Sequence, residues 1–260
     1  MFLQAKPIFP VGKSMEKNVF AKFEATLPIP AGARLLLTAA SFYRVFVGGT
    51  FLAFGPARTA TGYARVDELD LSAFAGNEVK IEIEVAGYAC RSLSTVYQPS
   101  FVCAEVRLGD EVLACTGRDF SATIPETKLQ RVMRYSVQRH FSEVWDLHDE
   151  ALASTEKPVE TEILPLQLTY LARTAPYPYY EDLFFPKSCS RGTLHKDEEK
   201  PPKKKLYSFQ PSEYWGRFED GDIHGLKNDS QAVFEYISVT SPPIDFGYAY
   251  KEEKGKRNVR

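Results

Sequence analysis

The stretch "VKIEIEV" (79–85) constrains the fold of this chain more than any other feature. Apolar and charged side chains alternate strictly along it. Successive side chains of a strand point to opposite faces, so this pattern predicts a β-strand with one buried face and one solvated face. An antiparallel sheet tolerates water on one face and needs a second layer over the other.

Further strands are predicted on both sides of this one. "YRVFVGGTFLAFG" and "FVCAEVRLGDEVLACTG" each place apolar runs around a tight-turn signal, Gly48-Gly49 and Gly109-Asp110. Glycine reaches the positive φ that such hairpins require. "ARLLLTAA" is a continuous apolar run, typical of a central strand, and "VDELDLSAFAG" (66–76) is the one short helix candidate before residue 150. The predicted fold is an all-β, antiparallel jelly-roll β-sandwich, followed by a less regular, proline-rich, β-containing segment.

The composition changes after Pro125, and this change predicts the domain organisation. Residues 126–260 hold 10 of the 17 prolines, which disfavours long helices there. "QRVMRYSVQRHFSEVWDL" (130–147) still alternates and predicts one or two more strands. We therefore expect three parts: a jelly-roll sandwich over 1–147, a proline-rich and charged linker over 148–205, and a β-like segment over 206–260, interpreted as the start of a further sandwich.

Charge and hydropathy exclude several classes of partner. The formal net charge of -2 gives no basic field for a nucleic acid. No apolar run approaches the roughly 18 residues of a membrane helix, and the N-terminus lacks the apolar core of a secretory signal. These features predict a cytoplasmic protein without nucleic-acid or membrane partners. The four cysteines show no C-x-x-C spacing, so we expect reduced cysteines packed in the core.

Motifs for chemistry are weak in this chain. "GGTFLAFGPAR" lacks the lysine and the following helix of a phosphate-binding loop, so it is interpreted as a hairpin. "FEDGDIHG" (218–225) gathers acidic side chains and a histidine between Glu219 and His224, and the residues alone leave open whether this cluster holds a metal or forms a polar turn. With 34 acidic residues, pairs of carboxylates are uninformative for glycoside hydrolysis. We assign no catalytic residue, no metal ligand and no cofactor.

Two loop-like stretches, 55–65 and 87–100, combine arginine with tyrosine. Aromatic faces suit the apolar side of a sugar ring and arginine suits its hydroxyl groups, and loops on a rigid sandwich are common binding sites. The alternative is that these side chains only pack the loops. The candidate carbohydrate-binding residues are Arg58, Tyr63, Arg65, Arg91 and Tyr97.

An ordered set of motifs resembles a known family. The motifs include "YRVFVGGTFLAFGPART", "GYARVDELDLSAFAGNEVKIEIEVAGY", "YQPSFVCAEV" and "LARTAPYPYYED" (171–182), with a weaker match at "PPIDFGYAY". Together they are similar to the N-terminal region of bacterial α-L-rhamnosidase-like glycoside hydrolases. The resemblance implies a galactose-binding-like jelly roll beside a catalytic barrel of paired helices, with rhamnose-containing glycans as ligands.

The helical barrel that the resemblance implies has no place in this sequence. Twelve helices with their connections need about 200 residues. Only the 135 residues of 126–260 follow Pro125, and they are proline-rich. We therefore expect a non-catalytic scaffold that binds carbohydrate weakly, with the helical catalytic domain missing from this chain. A purely structural interaction domain and a stand-alone glycoside hydrolase remain open alternatives.

Overall fold

The computed structural model describes residues 1–132, 134, 138, 140–145 and 156–178, together with the backbone of four later strands. The chain forms two compact units, and the first unit contains all of the described residues up to Pro178. The later strands, which belong to the second unit, are β14 (Pro186–His195), β15 (Gln231–Val239), β16 (Tyr250–Glu253) and β17 (Lys256–Val259). Within that unit β14 pairs with β15 and β16 with β17, both antiparallel.

The first unit is built from two β-sheets. The seven strands of the first sheet are β1 (Ile8–Pro10), β3 (Arg34–Ala40), β6 (Tyr63–Asp70), β8 (Phe101–Leu108), β9 (Glu111–Cys115), β12 (Thr161–Ile163) and β13 (Thr169–Ala172). The six strands of the second are β2 (Val19–Pro28), β4 (Phe42–Val47), β5 (Thr50–Gly55), β7 (Glu78–Gly87), β10 (Ser121–Ile124) and β11 (Lys157–Val159). Their orders are β12-β1-β8-β3-β6-β13, with β9 also beside β8, and β11-β10-β2-β7-β4-β5. The predicted all-β sandwich is confirmed.

The alternation that predicted the sandwich is realised in β7. Ile81, Ile83 and Val85 are completely buried in the core between the sheets. On the opposite face, Lys80 forms ion pairs with Glu82 at 3.0 Å and with Glu24 of the neighbouring β2 at 3.4 Å. In β7, period-two burial therefore decides which face meets the other sheet.

The two hairpin predictions are confirmed, and the helix candidate is wrong. Gly48, Gly49 and Gly109 have φ values of 55°, 77° and 59°, which is the left-handed region that their turns require. The stretch 66–76 instead continues β6 to Asp70 and adds only a 3₁₀ turn at Ser72–Phe74. Pairing with β3 satisfies the backbone groups of β6, which favours a strand over the expected helix.

The segment after Pro125 differs from its sequence-based description. In the described part of 130–147, no ladder forms, and the backbone makes a single bridge between Trp145 and Lys128. Its apolar side chains Val132 and Phe141 instead pack with Tyr88 in a small second cluster. In the described part of this stretch, apolar and aromatic contacts are found where strand pairing was expected.

The predicted linker contributes strands to the sandwich. β11, β12 and β13 all lie within 148–205, and they pair with β10, β1 and β6 respectively. Each of them satisfies the backbone groups of a strand that would otherwise be an open edge. The boundaries proposed at 147 and 205 stay a prediction, since most of the residues around them lie outside the described part.

The cysteines at 90, 103 and 115 are buried and free, in line with the expected reduced core residues. Burial raises the pKa of the Cys103 thiol to about 12, which keeps it protonated. In the part of the chain that the structure describes, no helix has the length and apolarity needed to span a bilayer.

A buried carboxylate anchors the N-terminus to the first sheet. Glu105 on β8 is completely buried, and one carboxylate oxygen accepts backbone N–H bonds from Gln4 at 2.7 Å and Ala5 at 3.0 Å. The amide of Leu3 donates to both oxygens at 3.0–3.1 Å. Successive amides aimed at one carboxylate form a compact anion-binding turn.

Replacing Glu105 with alanine is expected to release residues 3–5 and to lower the free energy of unfolding by about 2–3 kcal/mol, since several charge-assisted bonds are lost. Amide hydrogen exchange at Leu3, Gln4 and Ala5 would measure the release. Glu111→Ala is the matched control, because Glu111 is exposed on the adjacent β9. Unchanged exchange in the Glu105 variant would show that other contacts hold the N-terminus.

Candidate functional site

A shallow concave site lies where the two arginine–tyrosine loops meet. We call it the arginine cleft; the polar residues that line it include Arg58, Thr59, Tyr63, Arg65, Ser94 and Gln98. Its cavity volume is about 30 Å³. The loop after β5 supplies one wall and the loop after β7 supplies the other, so residues distant in sequence converge at one end of the sandwich.

The first loop is shaped by its own hydrogen bonds. Thr59 Oγ1 donates to the backbone oxygen of Tyr63 at 2.8 Å, and the Tyr63 amide donates to Ala60 O at 3.2 Å. These bonds turn the chain back into β6. Tyr63 is the first residue of β6 and is 43% exposed. Its ring therefore presents an aromatic face beside the cleft.

The second loop is also internally ordered. The buried Ser92 hydroxyl accepts the backbone N–H of Ser94 at 3.1 Å and that of Thr95 at 3.0 Å. Thr95 Oγ1 in turn donates to Cys90 O at 2.9 Å. Hydroxyl groups that bond neighbouring amides stabilise tight loop turns, so this wall is preorganised.

The cleft carries positive charge without an acidic lining residue. Arg65 donates from Nη1 to Thr174 Oγ1 at 3.2 Å and from Nε to the backbone oxygen of Arg58 at 3.4 Å. Arg58 is exposed. Within the described residues, no Asp or Glu lines the cleft, and neither guanidinium forms an ion pair there.

Three of the five predicted residues meet in this cleft. Arg58, Tyr63 and Arg65 line it, as expected from their loop. Arg91 and Tyr97 belong to the opposite loop but are not among the lining residues, and the backbone oxygen of Arg91 accepts a hydrogen bond from Arg134. A sugar-binding role stays a prediction for all five residues.

Sequence reasoning missed several polar lining residues, among them Ser94 and Gln98. Both lie in the loop 87–100 that the sequence singled out, but serine and glutamine are too common on surfaces to stand out. Their position in that loop was the available signal.

A buried polar network lies directly beside the cleft. The Tyr43 hydroxyl donates to one oxygen of Asp67, and Arg173 Nη1 lies 3.1 Å from the other. Tyr43 and Asp67 are 1% and 0% exposed, and the Arg173 side chain is 7% exposed. Burial raises the pKa of the Asp67 carboxyl, whereas the bonds from Tyr43 and Arg173 oppose that rise. Burial, with the neighbouring carboxylate, also raises the pKa of the Tyr43 phenol far above its usual range.

Arg173 connects this network to the segment that follows the sandwich. Its Nε and Nη2 donate to the backbone oxygens of Ala175 and Pro176, both at 2.9 Å. The ring of Tyr177 lies 4.4 Å from the guanidinium carbon, and its hydroxyl bonds to the backbone of Glu68 at 3.1 Å. The "ARTAPYP" motif is therefore fixed to β6, at Asp67 and Glu68.

The described residues offer little for metal or hydrolytic chemistry. Within them, no group of three or more His, Cys, Asp or Glu side chains has the geometry to hold a metal ion. The Glu219–His224 cluster lies outside the described residues. Asp67, the carboxylate next to the cleft, is occupied by Tyr43 and Arg173.

The fold of this chain is similar to part of known rhamnosidases. No protein-family model matches the chain, and no curated protein matches it in sequence. A GH78 family rhamnosidase of Bacillus sp. GL1 superimposes with a TM-score of 0.59 at 19% identity, over 75% of this chain and 21% of that chain. An α-L-rhamnosidase of Dictyoglumus thermophilum superimposes with a TM-score of 0.43 at 10% identity, over 74% of this chain and 24% of that chain.

The comparison with the Bacillus protein establishes the class of fold. The chain has the β-sandwich architecture found in part of a rhamnosidase, and the resemblance predicted from the motifs is confirmed at the level of the fold. The chain spans about a fifth of the length of that enzyme. At 19% identity, the similarity is evidence for a shared fold and not for a shared activity.

Proposed function

We propose that this chain is the non-catalytic β-sandwich portion of an α-L-rhamnosidase-like glycoside hydrolase, a cytoplasmic protein in which the sandwich is a scaffold and a weak carbohydrate-binding module. The observation that carries the proposal is the convergence of the two arginine–tyrosine loops in the arginine cleft. The fold likeness to about a fifth of the Bacillus enzyme supports the assignment to a non-catalytic portion.

The cleft has the groups that a sugar needs. The exposed face of Tyr63 suits the apolar side of a pyranose, and the guanidinium groups of Arg58 and Arg65 donate to its oxygens. Pockets that enclose a small molecule measure about 300–1,000 Å³. A cleft of about 30 Å³ contacts one side of a ligand, which is why we expect weak binding.

The scaffold role is supported by the network at Arg173. The hydrogen bonds from Arg173 to Ala175 and Pro176 hold the segment that follows β13 against the sandwich. A domain attached through this segment would start from a fixed position. The helical catalytic domain that the resemblance implies is the partner we propose for it.

Hydrolysis is assigned to that missing domain. Glycoside hydrolysis uses two carboxyl groups about 5–9.5 Å apart across the scissile bond. The described lining of the arginine cleft contains no carboxylate, and Asp67 beside it is completely buried. A stand-alone hydrolase would therefore need a site elsewhere in the chain.

Calorimetric titration with rhamnose and with neutral and acidic rhamnosyl oligosaccharides tests the proposal. Replacing Tyr63 with alanine is expected to weaken binding by about tenfold, because an aromatic contact face worth about 1.4 kcal/mol is lost. The melting temperature should change little, since the side chain is 43% exposed. Leu93→Ala is the control: Leu93 is 69% exposed in the facing loop but does not line the cleft.

The other two functions predict different results. If no sugar gives a heat of binding at millimolar concentration, the chain is a purely structural interaction domain. Turnover of a chromogenic rhamnoside, abolished by replacing a single carboxylate, would identify the chain as a hydrolase on its own.

A further inference from the structure

We infer that the arginine cleft binds a saccharide through a carboxylate, as on a uronic acid residue, rather than through hydroxyl groups alone. The inference rests on the proposed carbohydrate-binding role and adds the chemical class of the ligand. It is carried by the charge, the donor geometry and the size of the cleft.

The charge of the cleft is unbalanced, unlike that around five other described arginines. Five arginines lie within 4 Å of a carboxylate: Arg34, Arg44, Arg107, Arg118 and Arg173. Arg58 and Arg65 line one cleft together, and no described carboxylate pairs with either of them. Two adjacent cations repel each other, so an anion placed between them is favoured over a neutral group.

The two guanidinium groups also keep donors available. Arg65 is oriented by Thr174 and by the backbone oxygen of Arg58, which use its Nη1 and Nε and leave Nη2 without a partner among the described residues. The Arg58 side chain makes no hydrogen bond to a described residue. A guanidinium is a planar fork of five N–H donors that matches the two oxygens of a carboxylate. One oriented arginine and one unengaged arginine therefore suit a carboxylate better than a lone hydroxyl.

The size of the cleft agrees with a small charged group. A volume of about 30 Å³ exceeds the roughly 10–15 Å³ that one water molecule needs and lies far below the roughly 300–1,000 Å³ of a pocket that encloses a small molecule, so the cleft itself admits a small group such as a carboxylate. The ring that bears the carboxylate would lie at the mouth of the cleft, where Tyr63 is exposed. Gln98 in the facing wall is a neutral partner for the ring oxygens.

The test compares one sugar with and without its charge. Calorimetric titrations of the full chain use trigalacturonate, its fully methyl-esterified form and sodium acetate. Trigalacturonate is expected to bind at least about tenfold more tightly than the ester, because only the acid forms charge-assisted bonds with arginine. Its affinity should fall as salt is added.

Two variants locate the effect. Arg58→Gln is expected to weaken trigalacturonate by about tenfold and to leave the ester unchanged. Arg34→Gln removes the same charge at an exposed position outside the cleft and should leave both affinities unchanged. Both side chains are on the surface, and circular dichroism with a melting curve confirms that each variant is folded.

The outcomes separate this inference from the proposed function. If the acid and the ester bind equally, or if only neutral sugars bind, the inference that the cleft recognises a carboxylate is overturned. The proposed role as a carbohydrate-binding module would still stand. Equal losses in Arg58→Gln and Arg34→Gln would reduce the effect to net charge and also overturn it. Acetate binding as tight as trigalacturonate would show an anion site unrelated to sugars. No binding by any sugar would remove the inference and the carbohydrate-binding role together.

Discussion

Replacing Arg173 with methionine is expected to lower the free energy of unfolding by about 3–5 kcal/mol, the range found when one partner of a buried ion pair is removed. Arg173 Nη1 lies 3.1 Å from Asp67, which is completely buried. Methionine keeps much of the packing volume but leaves the carboxylate without its cation. The variant also loses the bonds to Ala175 and Pro176, so the segment after β13 is released from the sandwich.

The effect of this substitution should depend on pH. Burial raises the pKa of Asp67 in the folded protein, so the folded state holds its proton more tightly than the unfolded chain does. The contribution of this group to stability is therefore full below the unfolded pKa of about 3.9 and is lost as pH rises through the folded pKa. Arg173 lowers the pKa of Asp67, so its removal extends the loss to higher pH. The deficit of the variant should grow from about pH 4.5 to about pH 8.

Urea denaturation at the two pH values measures this prediction, and the Asp67→Asn, Arg173→Met double variant is the control. Without an ionisable group at position 67, the double variant should lose most of the added pH dependence. A single variant whose deficit is the same at both pH values would contradict the buried charge as its cause.

Replacing Gly55 with alanine is the second large prediction, with an expected loss of about 3 kcal/mol or more, at the upper end for overpacked sites. An added Cβ would lie 2.2 Å from Asp67 Oδ2 and 2.7 Å from the Tyr43 hydroxyl. Neither neighbour can move freely, since both are buried in the network with Arg173. Relief of the clash must therefore break a buried hydrogen bond or shift β5.

The control for this substitution is Gly12→Ala. Gly12 has a φ of 72° and no heavy atom within 4 Å of an added Cβ, so its cost is limited to about 1–2 kcal/mol of backbone strain. Thermal and urea unfolding compare the two variants. A loss at Gly55 no larger than the loss at Gly12 would show that the network yields easily to the extra methyl group.

Both substitutions are expected to affect the arginine cleft indirectly, because the replaced residues adjoin residues that shape it. Gly55 precedes Pro56, which lines the cleft, and Thr174 beside Arg173 orients Arg65. Weaker sugar binding in Arg173→Met, in protein that is still folded, is therefore expected from the loss of the Arg65 orientation. Arg58→Gln removes a contact without disturbing these supports.

Local patterns in the sequence were sufficient for the sandwich. Alternation in β7, the apolar run of β3 and the glycine hairpins each depend on neighbours along the chain, and each was realised. The loops that form the arginine cleft were recognisable for the same reason, since arginine and tyrosine cluster within single short stretches. These local patterns could not predict contacts between residues that are far apart in the sequence.

Only the tertiary structure brought together residues that no spacing connects. Tyr43, Asp67 and Arg173 come from separate motifs and meet in one buried network, because a buried carboxylate needs a nearby cation and donor wherever they lie in sequence. The strands of 157–172 joined the sheets because open edges there could be paired, although their composition was that of a linker. Periodicity thus determined which face is buried in alternating strands such as β7, whereas the pairing of distant groups determined the buried network and the added edge strands.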